Sequence, residues 1–248
     1  MKVEWYHVGS GKTEAYEALR QTIPLEDTYM HYRLNGNAAN DCEDYYFVAH
    51  ENGVALSRLW MCFPRHANAI GNWGAFFTLD ECRGQGIGTK VLNLCFETLP
   101  TLPNLPRGLF CTAGKPWVAN MYKKYGFRPA IHGTEYGPLY FPIGNSPATF
   151  QAFCKEYYTP AQALRAQKAT FAWRNEVDCL LKFAMLDQGL DYAINGELDL
   201  NMILLNTPER DAKVILTDEN KCVGWMLNGV AKVHPQYVHL LPTMQQSV

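Results

Sequence analysis

The chain has 248 residues, of which 48% are hydrophobic, so it can bury a substantial core in one large or two small domains. Its net charge is −2, from 22 basic and 24 acidic residues, and the lysines and arginines form no run. This balance argues against a nucleic-acid or membrane surface as the partner. No apolar run approaches the ~20 residues of a membrane-spanning helix, and the N-terminus lacks the apolar segment of a signal peptide.

Eight cysteines are spread along the chain without a C-x-x-C pair. Most of them lie within apolar runs, which predicts buried, reduced thiols and argues against a structural zinc site. Reduced thiols are typical of a cytoplasmic protein, so we expect a cytoplasmic location and no bound metal.

The predicted elements of the first half are strands and helices in alternation. Strands are predicted over residues 3–8, 45–50, 54–62, 73–79 and 108–112, and helices over residues 13–21, 25–32, 90–99 and 116–126. Asn35-Gly36 predicts a turn before a loop at residues 37–44, and Glu51-Asn52-Gly53 predicts a hairpin turn. Residues 127–143 predict a closing hairpin.

A domain boundary is predicted at Gly144-Asn145-Ser146-Pro147, which gives domains of residues 1–145 and 146–248. Beyond it, the predicted elements are helices over residues 149–157 and 160–186, a turn at Asn195-Gly196, a hairpin of strands over residues 212–216 and 222–227, and a third strand over residues 233–241.

A glycine-rich segment, Arg83-Gly84-Gln85-Gly86-Ile87-Gly88-Thr89, joins a predicted strand to a predicted helix. Such a turn is an anion site, because the first N–H groups of a helix have no intrahelical partner and the helix dipole adds positive charge. Gly86 and Gly88 lack a Cβ, so a phosphate can approach the backbone, while Thr89 offers a hydroxyl and Arg83 a charged anchor. The sequence therefore predicts a phosphate-bearing ligand here.

Two nucleotide motifs do not fit the chain. Gly84, Gly86 and Gly88 give G-x-G-x-G, one residue short of the dinucleotide fingerprint. Gly9-Ser10-Gly11-Lys12-Thr13 looks like the end of a phosphate loop, but Tyr6 stands where that loop requires its first glycine. The simpler interpretation of this segment is a turn into the first helix, with Ser10 or Thr13 as its cap.

The pattern Arg83-x-x-Gly86-x-Gly88 resembles the acyl-CoA loop of the GNAT superfamily of N-acetyltransferases, which reads R/Q-x-x-G-x-G/A. The segment from Met121 to Phe127 resembles the family's second pattern, L/M-Y-x-x-x-G-F. The two patterns occur in order, one predicted strand apart, and the resemblance covers residues 1–145. It implies the α+β GNAT fold, with a mixed, mostly antiparallel sheet flanked by helices. For the remaining residues, the predicted helices and strands indicate a smaller C-terminal α+β domain.

The resemblance also implies a function, the transfer of an acetyl group from acetyl-CoA to a primary amine by direct attack. Cofactor contacts are implied for the glycine loop, the end of the strand before it and the second helix: Phe77, Thr78, Leu79, Arg83, Gly84, Gln85, Gly86, Ile87, Gly88, Thr89 and Asn120. In the family, the strand before the loop splays from its neighbour, and its free backbone groups bond the pantetheine arm and the acetyl carbonyl. By position, that segment is residues 76–79.

Tyr122 is the residue that the resemblance implies as general acid, which would protonate the departing CoA thiolate. The alternative is an amphipathic-helix tyrosine packed on the sheet, and this is the interpretation that we favour for Tyr125. One position departs from the family. An asparagine often opens this helix, seven residues before the tyrosine, whereas this chain has Lys115 there.

The general base is not assigned by the sequence. Many relatives carry a glutamate within the strand before the loop, but residues 73–79 contain no acid. Asp80 and Glu81 follow the strand, where a solvated turn carboxylate is the commoner explanation. His50 has a pKa range suited to a base acting through water, but a lone histidine is more often structural.

The two halves of the chain show similar patterns. Leu34-Asn35-Gly36 precedes a hairpin that turns at Glu51-Asn52, and Ile194-Asn195-Gly196 precedes one that turns at Glu219-Asn220. This indicates a truncated second copy of the family's front half, and the alternative is an unrelated helical and β extension. The second half has no acyl-CoA loop, so we expect it to cover the first sheet, shape the acceptor pocket or make a dimer.

Three functions remain open from the sequence. The first is an N-acetyltransferase that acts on a small amine or a protein amino group and is compatible with a homodimer. The second is a non-catalytic module that binds acyl-CoA or a partner chain. The third is a fold relative that modifies a nucleobase, against which the absence of a basic face counts.

Overall fold

The computed structural model describes residues 1–66, 69–180 and 200–246. The chain divides into two compact units, residues 1–65 with 71–106 and residues 66–70 with 107–248. By this division residues 107–143 group with the C-terminal part of the chain, and the boundary at residues 144–147 stays a prediction.

The first unit contains four strands and three helices. They are β1 (Lys2–His7), α1 (Glu14–Thr22), α2 (Thr28–Leu34), β2 (Cys42–Glu51), β3 (Val54–Pro64), β4 (Ile70–Thr78) and α3 (Ile87–Thr98). The strands lie in the order β1-β2-β3-β4, and each pairs antiparallel with the next. The strand, helix pair and three-stranded meander predicted for this part of the chain are confirmed.

Helices cover both faces of this sheet, which explains why β2 is buried at nearly every position. On one face, α1 packs against β1, with the Tyr6 and Tyr16 rings 5.7 Å apart. On the other face, α3 packs against β3, where Cys95 Sγ lies 3.6 Å from Met61 Sδ. The core of the unit is therefore two apolar layers around β2 and β3.

Capping residues explain where the first two helices begin. Thr13 accepts a hydrogen bond from Tyr16 N at 3.2 Å, so Gly9–Thr13 is a capped turn into α1, as the simpler interpretation predicted. Asp27 accepts one from Met30 N at 3.1 Å and starts α2 at Thr28, later than the predicted residue 25. The loop predicted over residues 37–44 is wrong at its end, since β2 begins at Cys42.

A buried ion pair lies between α2 and the sheet. Arg33 Nη2 and Nε donate to Asp44 Oδ1 at 2.6 and 3.1 Å, and both side chains are 1% exposed. Trp60 Nε1 donates to the same oxygen at 2.8 Å, and Arg33 Nη2 contacts Cys62 Sγ at 2.7 Å. Burial alone would lower the pKa of Arg33, but Cys62 and Asp44 together hold it well above its ordinary value.

The second unit contains β5 (Gly108–Ala113), α4 (Pro116–Lys123), β6 (Arg128–Pro129), β7 (Gly137–Pro142), α5 (Phe150–Tyr157), β8 (Leu164–Lys168), α6 (Arg174–Cys179), α7 (Leu200–Asn206), β9 (Ala212–Thr217), β10 (Cys222–Leu227), β11 (Val230–Val233) and β12 (Gln245–Gln246). Its strands lie in the orders β5-β7-β6 and β11-β10-β9-β8-β12. Of these pairings, β12 with β8 is parallel and the others are antiparallel. Aromatic side chains of α5 fill the core of this unit.

Two predicted elements of the second half are wrong. Residues 164–168 belong to a predicted helix but form β8, because Leu164 and Ala166 are buried in alternation and the segment pairs with β9. The strand predicted over residues 233–241 ends at Val233, and Pro235–Thr243 is a 3₁₀ helix that begins at a proline. Residues 181–186 and the turn predicted at Asn195-Gly196 lie outside the described residues.

Strands β8 to β11 of the second unit repeat the connectivity of strands β1 to β4 of the first unit. In each unit a single strand is followed by a helical segment and then by an antiparallel meander, which gives the orders β1-β2-β3-β4 and β8-β9-β10-β11. This shared order supports the prediction that the second half is a truncated copy of the first, which remains a prediction. The α+β class, with strands flanked by helices, is confirmed.

Two further observations concern the class of protein. Within the described ranges, no helix is both long and apolar enough to cross a membrane. All eight cysteines are free, six of them are buried, and Cys82 and Cys154 are half-buried.

Removal of the carboxylate at Asp44 tests the buried ion pair. Asp44→Ala leaves the Arg33 guanidinium buried without its counter-charge, so we expect the free energy of unfolding to fall by about 3–5 kcal/mol in urea titrations. The control is Glu17→Ala, which breaks the exposed Arg20–Glu17 pair and should change the free energy by at most ~1 kcal/mol. Equal effects of the two substitutions would contradict this interpretation.

Candidate functional site

The glycine loop of the first unit has a defined backbone. A 3₁₀ turn at Asp80–Cys82 follows β4, and Gly84 and Gly86 then adopt left-handed φ angles of 76° and 75°. Gly86 is the N-cap of α3, and no side chain caps the helix there. An added Cβ at Gly86 would meet nothing within 4 Å, so glycine is required here by its backbone conformation and open space remains beside it.

The N-terminus of α3 is open to a ligand. Lys90 N donates to Gly86 O at 3.1 Å, so the N–H groups of Ile87, Gly88 and Thr89 precede the first bond of the helix ladder. The first turn of this 12-residue helix contains no acid. The segment 84–86 is exposed, as is Thr89, so the backbone donors and the helix dipole face solvent and can receive an anion.

Gly88 has a packing role in addition to the cofactor contact expected from the sequence, which stays a prediction. A Cβ at this position would lie 2.9 Å from Phe76 Cζ and 3.0 Å from Thr78 Oγ1. Gly88 therefore allows α3 to pack closely on β4, whereas Gly86 borders open space on the exposed side of the loop.

The remaining loop residues are placed as follows. Arg83 is exposed, pairs with Asp80 Oδ1 at 2.6 Å and donates from Nε to Thr78 O at 3.2 Å. Gln85 Nε2 donates to Glu81 O at 2.7 Å, and this bond holds the turn. The Ile87 side chain is buried in the core, so only its backbone N–H faces the loop.

The end of β4 is irregular next to the loop. Phe77 pairs with Arg58 and Gly74 with Trp60, so two residues of β4, Ala75 and Phe76, lie opposite one residue of β3. Ala75 has a φ of 49°, which is unusual for a residue with a Cβ. Sequence reasoning missed this bulge because no glycine marks the position of Ala75.

The residues after the bulge are already bonded to β3. Ser57 Oγ lies 2.9 Å from both Phe77 O and Thr78 Oγ1. Leu79 N donates to Leu56 O at 2.9 Å, so this N–H is not available to a ligand. Of the free backbone groups expected over residues 76–79, the N–H of Leu79 is therefore bonded within the first unit.

In the second unit, the Met121 to Phe127 pattern forms a helix stop. Gly126 N donates to Lys123 O at 3.1 Å and Phe127 N to Tyr122 O at 3.3 Å, and Gly126 has a φ of 101°. These are the two hydrogen bonds of a Schellman motif. In this motif the residues that correspond to Tyr122 and Phe127 commonly make an apolar contact. Their rings lie 5.6 Å apart, so the Y-x-x-x-G-F spacing has a structural cause of its own.

The other predicted positions of α4 differ in exposure. Tyr122 is 5% exposed, Tyr125 is half-buried with a pKa raised by burial, and Asn120 is exposed. Lys115 is the exposed N-cap of α4 and forms no side-chain cap. The loop belongs to the first unit and these residues to the second, so the roles of Tyr122 and Asn120 stay predictions.

The candidate bases are placed in different surroundings. Asp80 is exposed and paired with Arg83, and Glu81 is exposed. His50 is 3% exposed and its Nε2 lies 2.8 Å from Glu4 Oε1. It lies next to the last residue of β2, and β3 separates it from β4, a distance of about 10 Å at ordinary strand spacing. This placement disfavours His50 as a base for chemistry at β4. In the described part of the chain, no group of three or more His, Cys, Asp or Glu residues could hold a metal ion.

Comparison with known proteins finds a family similarity over part of the chain. Residues 42–129, about a third of the chain, match the family model described as an acetyltransferase (GNAT) domain, and no curated protein sequence matches the chain. The match includes both sequence patterns and agrees with the resemblance that they indicated.

Solved structures resemble part of the chain at low identity. An acyl-CoA N-acyltransferase from Pseudomonas aeruginosa is 16% identical, with a TM-score of 0.40 over 56% of this chain and 99% of its own. ElaA of Escherichia coli is 15% identical, with a TM-score of 0.41 over 56% and 97%. A GNAT family acetyltransferase from Elizabethkingia anophelis, solved with acetyl-CoA bound, is 15% identical, with a TM-score of 0.37 over 57% and 98%.

A methyl group at Gly88 tests the packing of α3 on β4. We expect Gly88→Ala to lower the free energy of unfolding by about 1–3 kcal/mol, because the new Cβ would press on Phe76 and Thr78. The matched control is Gly114→Ala, where a Cβ meets nothing within 4 Å and the change should stay within about 0.5 kcal/mol. A neutral Gly88→Ala would show that β4 and α3 do not pack this closely.

Proposed function

We propose that this protein is an N-acetyltransferase that transfers an acetyl group from acetyl-CoA to a primary amine. The observation that carries the proposal is the exposed, left-handed Gly84–Gly86 turn at the N-terminus of α3, within the residues that match the GNAT domain. Backbone donors and a helix dipole at such a turn favour a diphosphate over a neutral ligand.

The residues of the loop fit the CoA diphosphate. Gly86 leaves open space where another residue would place a Cβ, and the N–H groups of Ile87 to Thr89 are free of the helix ladder. Thr89 is exposed and adds a hydroxyl donor. When bound, acetyl-CoA supplies an acyl thioester, whose carbonyl carbon is the electrophile.

The end of β4 would meet the second requirement, which is polarisation of the thioester carbonyl. A backbone N–H aimed at the carbonyl oxygen is a fixed dipole, and it needs no reorganisation when charge develops on that oxygen. We assign this role to the backbone of residues 76–79, as the resemblance implies, on the strand that leads to the loop.

Tyr122 is the proposed general acid, which would return a proton to the departing sulfur. This assignment depends on the sequence pattern, since the helix stop already explains the Tyr122–Phe127 contact. The general base is unassigned, and the amine can also lose its proton to water.

The free thiols support a cytoplasmic location, since eight unpaired cysteines are typical of a reducing compartment. The proposal is compatible with a homodimer. The rival function is a non-catalytic module that binds acyl-CoA or a partner chain, and turnover of acetyl-CoA with any amine excludes it.

A charge-matched pair of substitutions tests the cofactor site. Asparagine and aspartate are nearly isosteric, and both tolerate a left-handed φ, so Gly86→Asn and Gly86→Asp differ mainly by a negative charge at the predicted diphosphate. We expect calorimetric titration with acetyl-CoA to show binding weakened at least about tenfold more by Asp than by Asn. The difference should shrink as salt is added.

Two other outcomes of this titration would contradict the proposal in different ways. Equal affinities of the two variants would place the phosphates elsewhere on the protein. If the unsubstituted protein does not bind acetyl-CoA, the glycine loop is not a cofactor site and the proposed function is wrong.

A conservative substitution tests the general acid. Tyr122→Phe keeps the ring that packs on Phe127 and removes the hydroxyl, so we expect unchanged acetyl-CoA binding and a kcat lowered about 100-fold. The control is Tyr125→Phe in the turn that follows this helix, which should leave kcat within about twofold of the original. A Tyr122→Phe variant with full turnover would remove Tyr122 from the mechanism.

A further inference from the structure

Arg58 occupies an unusual position beside the bulge of β4. It lies on β3 directly opposite Phe77, and its guanidinium carbon is 5.0 Å from the centre of the Phe77 ring. The residue is only 7% exposed. Stacking on the ring uses the flat face of the guanidinium and leaves its N–H donors, which point outward in its plane, for other partners.

A second buried arginine, Arg33, shows what a fully partnered guanidinium looks like in this fold. Arg33 lies in α2, beside Trp60 and Cys62 of β3. The side chains of Arg58, Trp60 and Cys62 occupy every second position of β3 and therefore share one face of the sheet, so Arg33 is on the same side as Arg58. Arg33 donates from both Nε and Nη2 to Asp44 Oδ1, and its pKa is held well above the ordinary value. Arg33 therefore carries its counter-charge within the protein.

Within the described residues Arg58 forms no ion pair of this kind. Its Nε is buried without a hydrogen-bond partner. Burial lowers the pKa of Arg58, and the charge of Asp27, followed by Tyr46, only partly offsets this effect. Asp27 also caps α2, where its Oδ1 accepts a hydrogen bond from Met30 N at 3.1 Å. A buried guanidinium without a paired carboxylate is costly, so an anion bound beside Arg58 would stabilise it.

The missing anion is not the diphosphate of CoA. Gly88, at the start of α3, lies against the side chains of Phe76 and Thr78, which point to the α3 face of the sheet. Phe77 alternates with them and stacks with Arg58 on the opposite face, which α1 and α2 cover. An anion that reaches Arg58 therefore enters on the other side of β4 from the phosphate turn.

We propose that Arg58 binds a carboxylate on the acceptor, so that the substrates are amines that carry a carboxylate, such as amino acids. This inference rests on the proposed acetyltransferase function and names its substrate class. The planar fork of an arginine matches the two oxygens of a carboxylate, and the closed surroundings of Arg58 strengthen a charge-assisted hydrogen bond. Its position opposite Phe77 puts the bound carboxylate beside the strand segment to which we assign carbonyl polarisation.

The test compares matched acceptors on the unsubstituted protein. A panel of amino acids is assayed with acetyl-CoA against the corresponding amino acid amides, the decarboxylated amines and phosphoethanolamine. We expect the best carboxylate-bearing acceptor to exceed its amide in kcat/KM by about tenfold or more. An equal rate for the amide, or acetylation of phosphoethanolamine alone, would overturn the carboxylate assignment.

Variants then assign the preference to Arg58. In Arg58→Gln the acid-to-amide ratio should fall toward one, mainly through the KM of the acceptor, while the KM of acetyl-CoA stays unchanged. Arg58→Lys keeps the charge without the fork and should be intermediate. The control is Arg20→Gln, an exposed helix arginine, which should leave the ratio unchanged. The comparison between variants also cancels the difference in amine pKa between an amino acid and its amide.

The failures of the two proposals are distinguishable. No acetylation of any amine contradicts the proposed function itself. Acetylation of amines with no dependence on the carboxylate, or a preference that survives in Arg58→Gln, contradicts only the role of Arg58. A loss of acceptor and acetyl-CoA binding together in both Arg58 variants, with lower thermal stability, would show that Arg58 is structural.

Discussion

The close contact between α3 and β4 is the constraint on which the rest of the site depends. Gly88 brings the helix against Phe76 and Thr78, nearer than any residue with a Cβ allows. The chain must then turn sharply between the strand and the helix, and Gly84 and Gly86 make that turn with left-handed backbone angles. A helix N-terminus fixed just beyond a strand end, with its donors exposed, is the anion site from which the proposed chemistry follows.

On the face of the sheet that α1 and α2 cover, two buried arginines differ in whether they form an ion pair. Arg33 and Asp44 neutralise one another under α2, at the cost of a buried carboxylate whose pKa burial raises and Arg33 lowers in part. Arg58, on β3, is 7% exposed against 1% for Arg33, and it forms no ion pair within the described residues. This difference between the two buried arginines is the reason why we propose that the acceptor binds at Arg58.

Much of the fold follows from local patterns in the sequence. The strands and helices of the first unit were predicted because alternating apolar residues, a capping threonine and the turns at Asn35-Gly36 and Asn52-Gly53 are local signals. The predictions for β8 and for residues 233–241 were wrong because pairing with β9 and a proline at residue 235 decided those segments. Of the site, the glycine loop could be predicted, whereas the bulge at Ala75 could not.

The sequence by itself determined the resemblance to GNAT acetyltransferases, the position of the glycine turn before α3 and the helix stop at Gly126, because glycine spacing and capping are properties of neighbouring residues. Only the tertiary structure decided that Gly88 lies against β4 while Gly86 borders open space, and that His50 lies two strands from β4. It also decided that Arg33 meets Asp44 from a different element, whereas Arg58 forms no ion pair within the described residues. Such facts depend on which residues the fold brings together, and the spacing of residues along the chain does not specify them.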